Sequence, residues 1–303
     1  MQKPKVLFFL LLITTMVTRT TAQQITATPE QKALLAEQLM PFKSIVNMRQ
    51  LGGYQMSDGR HIKQNILMRG GSLNKASDEE LALLHEKYDL RLVFDFRTDM
   101  EVKHQPDREV EGSKNVWLPA IDPETAALGT TTLPAEAYRN LFDFLVEHAG
   151  DPKAQEIARM MYSEMVLNEY TQLQYAAFFQ TILNTPDGSV YWHCSQGKDR
   201  TGIGAAFLLA ALGADRELIL RDYELSNVYY IDQVADLAQR VMEKGGDEEA
   251  VKVIVTFIGA NVEYFAKALD LIDEKFGSME AYLHGPLCLT DENIKQLRER
   301  FLE

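Results

Sequence analysis

The sequence predicts an α/β domain with a mostly parallel central sheet flanked by helices. Three runs carry that expectation: Leu90-Arg-Leu-Val-Phe-Asp95 and Asn115-Val-Trp-Leu-Pro119 read as strands, and Gly188-Ser-Val-Tyr-Trp-His193 reads as a third, buried strand after a Pro186-Asp187-Gly188 turn. Helical patterns alternate with these strands, and a crossover helix is what lets successive strands run parallel.

At the N-terminus, Met1-Gln-Lys-Pro-Lys5 is basic, residues 6–17 are apolar, and Thr20-Thr-Ala22 is a small-residue cleavage site. Residues 1–22 therefore read as a signal peptide, with an exported, periplasmic or secreted product. The apolar run is shorter than the roughly 20 residues that span a bilayer, and no later run qualifies, so stable membrane insertion is not expected. Losing Lys3, Lys5 and Arg19 takes the formal net charge from −13 to −16. So acidic a body is not built for nucleic acid. Residues 23–303 are expected to form one domain, since no linker-like stretch or internal repeat divides them.

Within that domain, Ser77 and Glu80 form a capping box that opens a helix with Leu81, Leu84 and Tyr88 on one face. After the strand at 115–119 comes an insertion, about 123–168, with two candidate helices near 134–149 and 152–167. An insertion of this length beside a site reads as a helical lid or as a packing subdomain. Residues 202–212 are apolar on every face, which marks a buried helix. Val262, Phe265, Leu269, Ile272 and Phe276 recur at three- and four-residue spacing, a core stripe rather than a cofactor box.

The chemistry concentrates in His193-Cys-Ser-Gln-Gly-Lys-Asp-Arg-Thr-Gly202, between the buried strand and the buried helix. A helix N-terminus offers unpaired amides and a dipole that favours anions, so both a phosphate and a thiolate are stabilised there. Cys194 is the candidate nucleophile, ionised at neutral pH because cations and a helix N-terminus lower a thiol pKa. Five residues separate it from Arg200, whose planar fork can hold two phosphate oxygens. Ser195, Gln196, Gly197, Lys198 and Asp199 would line the phosphate with their amides, with Gly197 supplying the turn. Thr201 can donate its hydroxyl to the sulfur, and His193 can brace the loop. No Cys-x-x-Cys or His-x3-His spacing supports a zinc site, so neither metal nor organic cofactor is expected. Of the two cysteines, Cys194 must be free, and Cys288 is expected to be buried and inert.

This loop resembles the signature of the cysteine-dependent protein tyrosine phosphatases. The variant Gly197-Lys198-Asp199-Arg200 resembles bacterial secreted enzymes acting on phosphotyrosine, phosphoserine/threonine and phosphoinositides. Asn47-x-Arg49-x-Leu51-Gly52-Gly53, Met68-Arg69-Gly70-Gly71-Ser72-Leu73, Asp95-Phe96-Arg97 and Phe276-Gly277-Ser278-Met279-Glu280-Ala281-Tyr282-Leu283 resemble that family's other blocks, in its order. The resemblance implies a tyrosine phosphatase-like fold with a helical lid, and a phosphorylated protein or phosphoinositide as substrate partner. A Trp-Pro-Asp acid loop is missing; Trp117-Leu-Pro119-Ala-Ile-Asp122 resembles the bacterial Leu-Pro-x-x-Asp segment and makes Asp122 the candidate general acid. Asp95 and Arg97, like Asn47 and Arg49, read first as braces and second as substrate contacts. An inositol phosphate phosphatase and a catalytically silent phosphate-binding protein are the alternative functions.

Overall fold

The computed structural model describes residues 28–125, 141–185 and 187–303. The leader, residues 126–140 of the insertion and Pro186 of the expected turn lie outside them. Among the described residues one five-stranded sheet forms from β1 (Arg49–Gln50), β2 (Leu67–Gly70), β3 (Leu90–Asp95), β4 (Lys114–Trp117) and β5 (Ser189–His193), in the order β1-β2-β5-β3-β4. Only β1 is antiparallel. The mostly parallel α/β architecture expected from the alternation of elements is therefore what forms.

Strand β5 occupies the centre and is buried along its whole length, which is why it is apolar on both faces. Side chains alternate across it. Val190 and Trp192 join Leu92 and Phe94 in the larger core, while Tyr191 joins Met68, Leu90 and Val93 in a smaller core beneath the opposite face. Register sets His193 beside both Gly70 and Asp95, so the chain leaves β2, β3 and β5 at one edge of the sheet. Ligand sites of open parallel sheets lie at that carboxyl edge.

The helices follow in order: α1 (Pro29–Gln38), α2 (Asp78–Glu86), α3 (Asp99–His104), α4 (Leu141–His148), α5 (Pro152–Leu167) and α6 (Glu169–Leu183). After β5 come α7 (Asp199–Leu212), α8 (Arg216–Glu224), α9 (Ser226–Glu243), α10 (Glu248–Phe257), α11 (Val262–Phe276), α12 (Met279–His284) and α13 (Asp291–Phe301). Ser77 and Glu80 cap α2 reciprocally, and Thr98 and Glu101 cap α3 in the same way. Helix α7 is buried almost throughout, so the all-apolar run at 202–212 becomes the helix under the sheet's centre. The stripe on α11 turns Phe265, Leu269 and Ile272 into the core, where Phe265 stacks on Tyr223 at 3.8 Å. Each such side chain contributes about 1.5–3 kcal/mol on burial. Helix α5 sends Tyr162, Met165 and Val166 into the same core, so the second half of the insertion is packed structure. No helix among the described residues is long and apolar enough to cross a membrane.

Candidate active site

The loop from Cys194 to Lys198 joins β5 to α7, and its shape is imposed from outside. Gly197 sits at φ +67°, and a Cβ there would lie 2.1 Å from the carbonyl carbon of Gly70 and 2.3 Å from its oxygen. Only glycine fits both the conformation and the contact. The loop carbonyls are then gripped one by one. Ser195 O accepts from the Ser72 amide (3.4 Å), Gln196 O from the Tyr230 hydroxyl (2.7 Å), Gly197 O from Asn47 Nδ2 (2.9 Å) and Arg69 Nη2 (3.0 Å), and Lys198 O from the same Arg69 nitrogen (3.2 Å). With the carbonyls turned outward, the amides of residues 195–200 donate to no acceptor among the described residues. Successive inward amides at a helix N-terminus make an anion nest.

A buried ionic cluster supports the grip. Asn47 takes the left-handed conformation at φ +55°, which asparagine tolerates better than most residues. Its Oδ1 accepts from Arg49 Nη1 at 2.5 Å, and Arg49 reaches Asp222 through Nε at 3.3 Å. Arg69 pairs with the other oxygen of Asp222, and the Tyr54 hydroxyl donates to Asp222 at 3.2 Å. Asn47, Arg49, Arg69 and Asp222 are all essentially inaccessible to solvent. Burial and the adjacent Arg49 charge bring Arg69 down to about 10. Burial also opposes ionisation of Asp222, yet Arg69 and Arg49 hold its carboxyl below the ordinary range. Asn47 and Arg49 thus act as loop braces.

Cys194 lies at the base of the nest, 2 % exposed. Burial works against its thiolate, but the Arg200 guanidinium and the hydroxyl and amide of Thr201 outweigh that and draw the thiol below its usual value. Thr201 Oγ1 is buried without a nitrogen or oxygen partner, which leaves it to the sulfur.

Arg200 is oriented by a group the sequence reading did not single out. Glu101 accepts from Arg200 Nη1 at 2.6 Å and Nη2 at 2.8 Å, and also from the Ser195 hydroxyl. Burial opposes the Glu101 charge, yet Arg200 and Ser195 hold its carboxyl far below the carboxylate range. The Nη1–Nη2 edge of the guanidinium is therefore occupied. Its Nε edge has no partner among the described residues and is the one left for a phosphate. The Thr98–Glu101 capping box was the available signal, since the carboxylate that caps α3 is the same one that clasps Arg200.

His193 is fully buried beneath the loop, with Nε2 3.2 Å from Asp107 Oδ2 and Nδ1 3.8 Å from Asp95 Oδ1. Burial alone would lower its pKa, but Asp95 and Asp107 raise it. Arg97 holds both carboxylates: Nε to Asp95 at 2.9 Å, and Nη2 to Asp95 and to Asp107 at 2.7 Å each. Asp95 and Arg97 form an ion pair, as their position at the strand end suggested. Asp95, Asp107 and His193 bring ligand atoms within 4.8 Å of one another, and the guanidinium of Arg97 pairs with both carboxylates of that group.

Two loop side chains point away from the nest. The Lys198 ammonium contacts Thr256 O and Asp199 Oδ2, each at 2.8 Å, and Asp199 Oδ1 accepts from the hydroxyls of Tyr162 (2.8 Å) and Tyr223 (3.1 Å). Asp122 follows β4, half-buried; it accepts from the Glu124 amide at 3.1 Å and from Asn168 Nδ2 at 3.5 Å. No hydrogen bond or ion pair joins Asp122 to Cys194 or Arg200 among the described residues. Cys288, expected to be buried, is exposed in the turn after α12 with φ +54°, and both cysteines are free thiols. A burial preference drawn from core cysteines fails there because the turn holds the side chain outward.

Residues 40–303 match the model of a tyrosine phosphatase family. The chain is 28% identical over 269 residues to a protein of Cupriavidus necator named as a candidate tyrosine-protein phosphatase, covering 87% of this chain and 88% of that one. It is 28% identical over 241 residues to the triple specificity protein phosphatase PtpB of Mycobacterium tuberculosis, covering 73% and 86%. A tyrosine-protein phosphatase of Nostoc commune is 26% identical over 234 residues, covering 76% and 71%.

Proposed function

From the premise that the chain belongs to the tyrosine phosphatase family, we propose that it hydrolyses phosphate monoesters, phosphotyrosine in proteins foremost, through a cysteinyl-phosphate intermediate on Cys194. The observation that carries this reading is the buried, acidified thiol of Cys194 at the base of an outward-braced amide nest, beside an Arg200 with one fork edge free. Amides and guanidinium together offer fixed donors where the phosphoryl oxygens gather negative charge.

In the first step the Cys194 thiolate attacks phosphorus in line. An S–P bond forms, the P–O bond to the leaving group breaks, and Asp122 gives that oxygen its proton. In the second, Asp122 takes a proton from water, whose oxygen attacks phosphorus; the S–P bond breaks and inorganic phosphate leaves. Thr201 supports the departing thiolate, and His193 with Asp95, Arg97 and Asp107 fixes the loop from below. Neither step calls for a metal or organic cofactor.

The triple specificity named for the Mycobacterium relative supports a breadth that extends to phosphoserine, phosphothreonine and phosphoinositides. The basic, apolar and small-residue order of residues 1–22 supports export, to the periplasm or beyond. Purified protein assayed on phosphotyrosine, phosphoserine and phosphothreonine peptides and on phosphoinositides tests the reading, with Cys194→Ser alongside. Turnover of phosphotyrosine that vanishes in Cys194→Ser is the expected result. Equal turnover by Cys194→Ser, or binding of phosphate without turnover by the unaltered protein, would overturn it.

A further inference from the structure

We infer that Lys198 is a positioning residue that fastens the phosphate loop to the C-terminal end of α10 and makes no contact with substrate, an inference that rests on the phosphatase reading of the site. The side chain is 1 % exposed although it belongs to the loop that would receive the phosphate. Its ammonium lies 2.8 Å from the carbonyl of Thr256, in the last turn of α10. Carbonyls there have no helical partner and carry the negative end of the helix dipole, so a cation is favoured.

The second contact of that ammonium, Asp199 Oδ2, extends the fastening. Asp199 uses its other oxygen for the hydroxyl of Tyr162 on α5 and that of Tyr223 on α8, and these two hydroxyls are themselves 2.6 Å apart. Two successive loop residues thereby anchor the loop to three helices that the sequence places far apart. For Lys198 to meet a second phosphate on a polyphosphorylated ligand, it would have to leave Thr256 and abandon Asp199 as a lone, largely buried carboxylate. Breaking a buried pair costs far more than an exposed ion pair returns. Whatever breadth of substrate the enzyme has is therefore set by other residues.

The fastening also bears on the thiol. Cys194 is faced by Arg200, Thr201 and Asp199 from α7, and by the hydroxyls of Tyr175 on α6, Tyr191 on β5 and Tyr230 on α9. Of these, Asp199 is the carboxylate that opposes the thiolate, and Lys198 offsets it.

The test uses a Cys288→Ser background, so that alkylation reports Cys194 alone, and compares Lys198→Met, Asp199→Asn and the double variant. Three quantities are measured: kcat/KM for a phosphotyrosine peptide and for a short-chain phosphatidylinositol phosphate, the rate of Cys194 alkylation by iodoacetamide against pH, and Tm. Lys198→Met should lower both kcat/KM values together, keeping their ratio within about twofold of the parent. It should also raise the alkylation midpoint and lower Tm. Adding Asp199→Asn should return the midpoint and Tm toward the parent, because no lone charge is then buried and the amide oxygen can still accept from both tyrosines. A Lys198→Met protein with parental Tm and alkylation profile that loses phosphoinositide turnover alone would overturn the inference. Should the parent turn over neither substrate, the phosphatase reading fails, while alkylation and Tm still decide the role of Lys198. Should Lys198→Met not fold, a folded double variant supports the pairing and an unfolded double beside a folded Asp199→Asn contradicts it.

Discussion

Replacing Glu101 by glutamine removes one charge and tests how Arg200 is held. Glutamine is an accepted third residue of a capping box, so α3 keeps its start and the change falls on the guanidinium. The carboxylate accepts two N–H groups, at 2.6 and 2.8 Å, plus the Ser195 hydroxyl. An amide leaves one acceptor and sets an N–H against a donor, so at least one charge-assisted hydrogen bond is lost, about 1.5–3 kcal/mol. The Arg200 side chain is only 11% exposed, whereas that of Glu101 is 32% exposed, and solvent screening favours the lower half of that range. At about 1.4 kcal/mol per factor of ten, kcat/KM for a phosphotyrosine peptide should fall roughly tenfold to fortyfold. The fall should lie mainly in kcat, because the free Nε edge still binds the ground-state phosphate. Arg200 holds the Glu101 carboxyl far below its ordinary value, so its stabilisation is fully present above the unfolded value of about 4.3 and is lost as pH falls through the folded one. Protonation of Glu101 is therefore not expected to shape the pH dependence of activity near neutral pH. Kinetics of Glu101→Gln within about twofold of the parent would refute the positioning argument.

Gly197→Ala should cost at least ~10²-fold in kcat, the scale of losing an oxyanion donor, because a Cβ 2.1 Å from Gly70 must displace the loop; unchanged kinetics and unchanged inhibition by vanadate would contradict the nest. Asp122→Asn should slow aryl phosphates with poor leaving groups far more than those with good ones, and equal losses along a leaving-group series would reject it as the acid. In a Cys288→Ser background, alkylation of Cys194 should reach half-maximal rate below about pH 8.5, the value of an ordinary thiol. Because the folded pKa is the lower one, the stabilising contribution of that thiolate is complete above the unfolded pKa and disappears as pH drops through the folded one. A midpoint at or above the ordinary value would remove the basis for a thiolate nucleophile.

What could be read in the sequence was local. The phosphate loop, β3, β4, β5, the capping box of α2 and the apolar run in α7 all declare themselves within short contiguous stretches. The partner of the braces does not. Asn47 and Arg49 read first as braces from their place in the motif, but a charge inside a short strand, as at Arg49 and Arg69, does not disclose what it pairs with. That partner, Asp222, lies 173 and 153 positions further on. Lys198 reads in the sequence only as a loop residue whose amide faces the phosphate, and nothing near it announces the carbonyl of Thr256. Thr98 and Glu101 have the spacing of a capping box, but the pattern of a cap does not disclose that its carboxylate serves a second partner.

In the proposed mechanism the phosphoryl group passes through the Cys194 sulfur. Rapid acid quench of the enzyme with a phosphotyrosine peptide labelled at phosphorus, followed by proteolysis and mass analysis, tests it most directly. Transient label is expected on the peptide containing Cys194, and none in Cys194→Ser. Label on another residue, or steady turnover with Cys194 never phosphorylated, would contradict it.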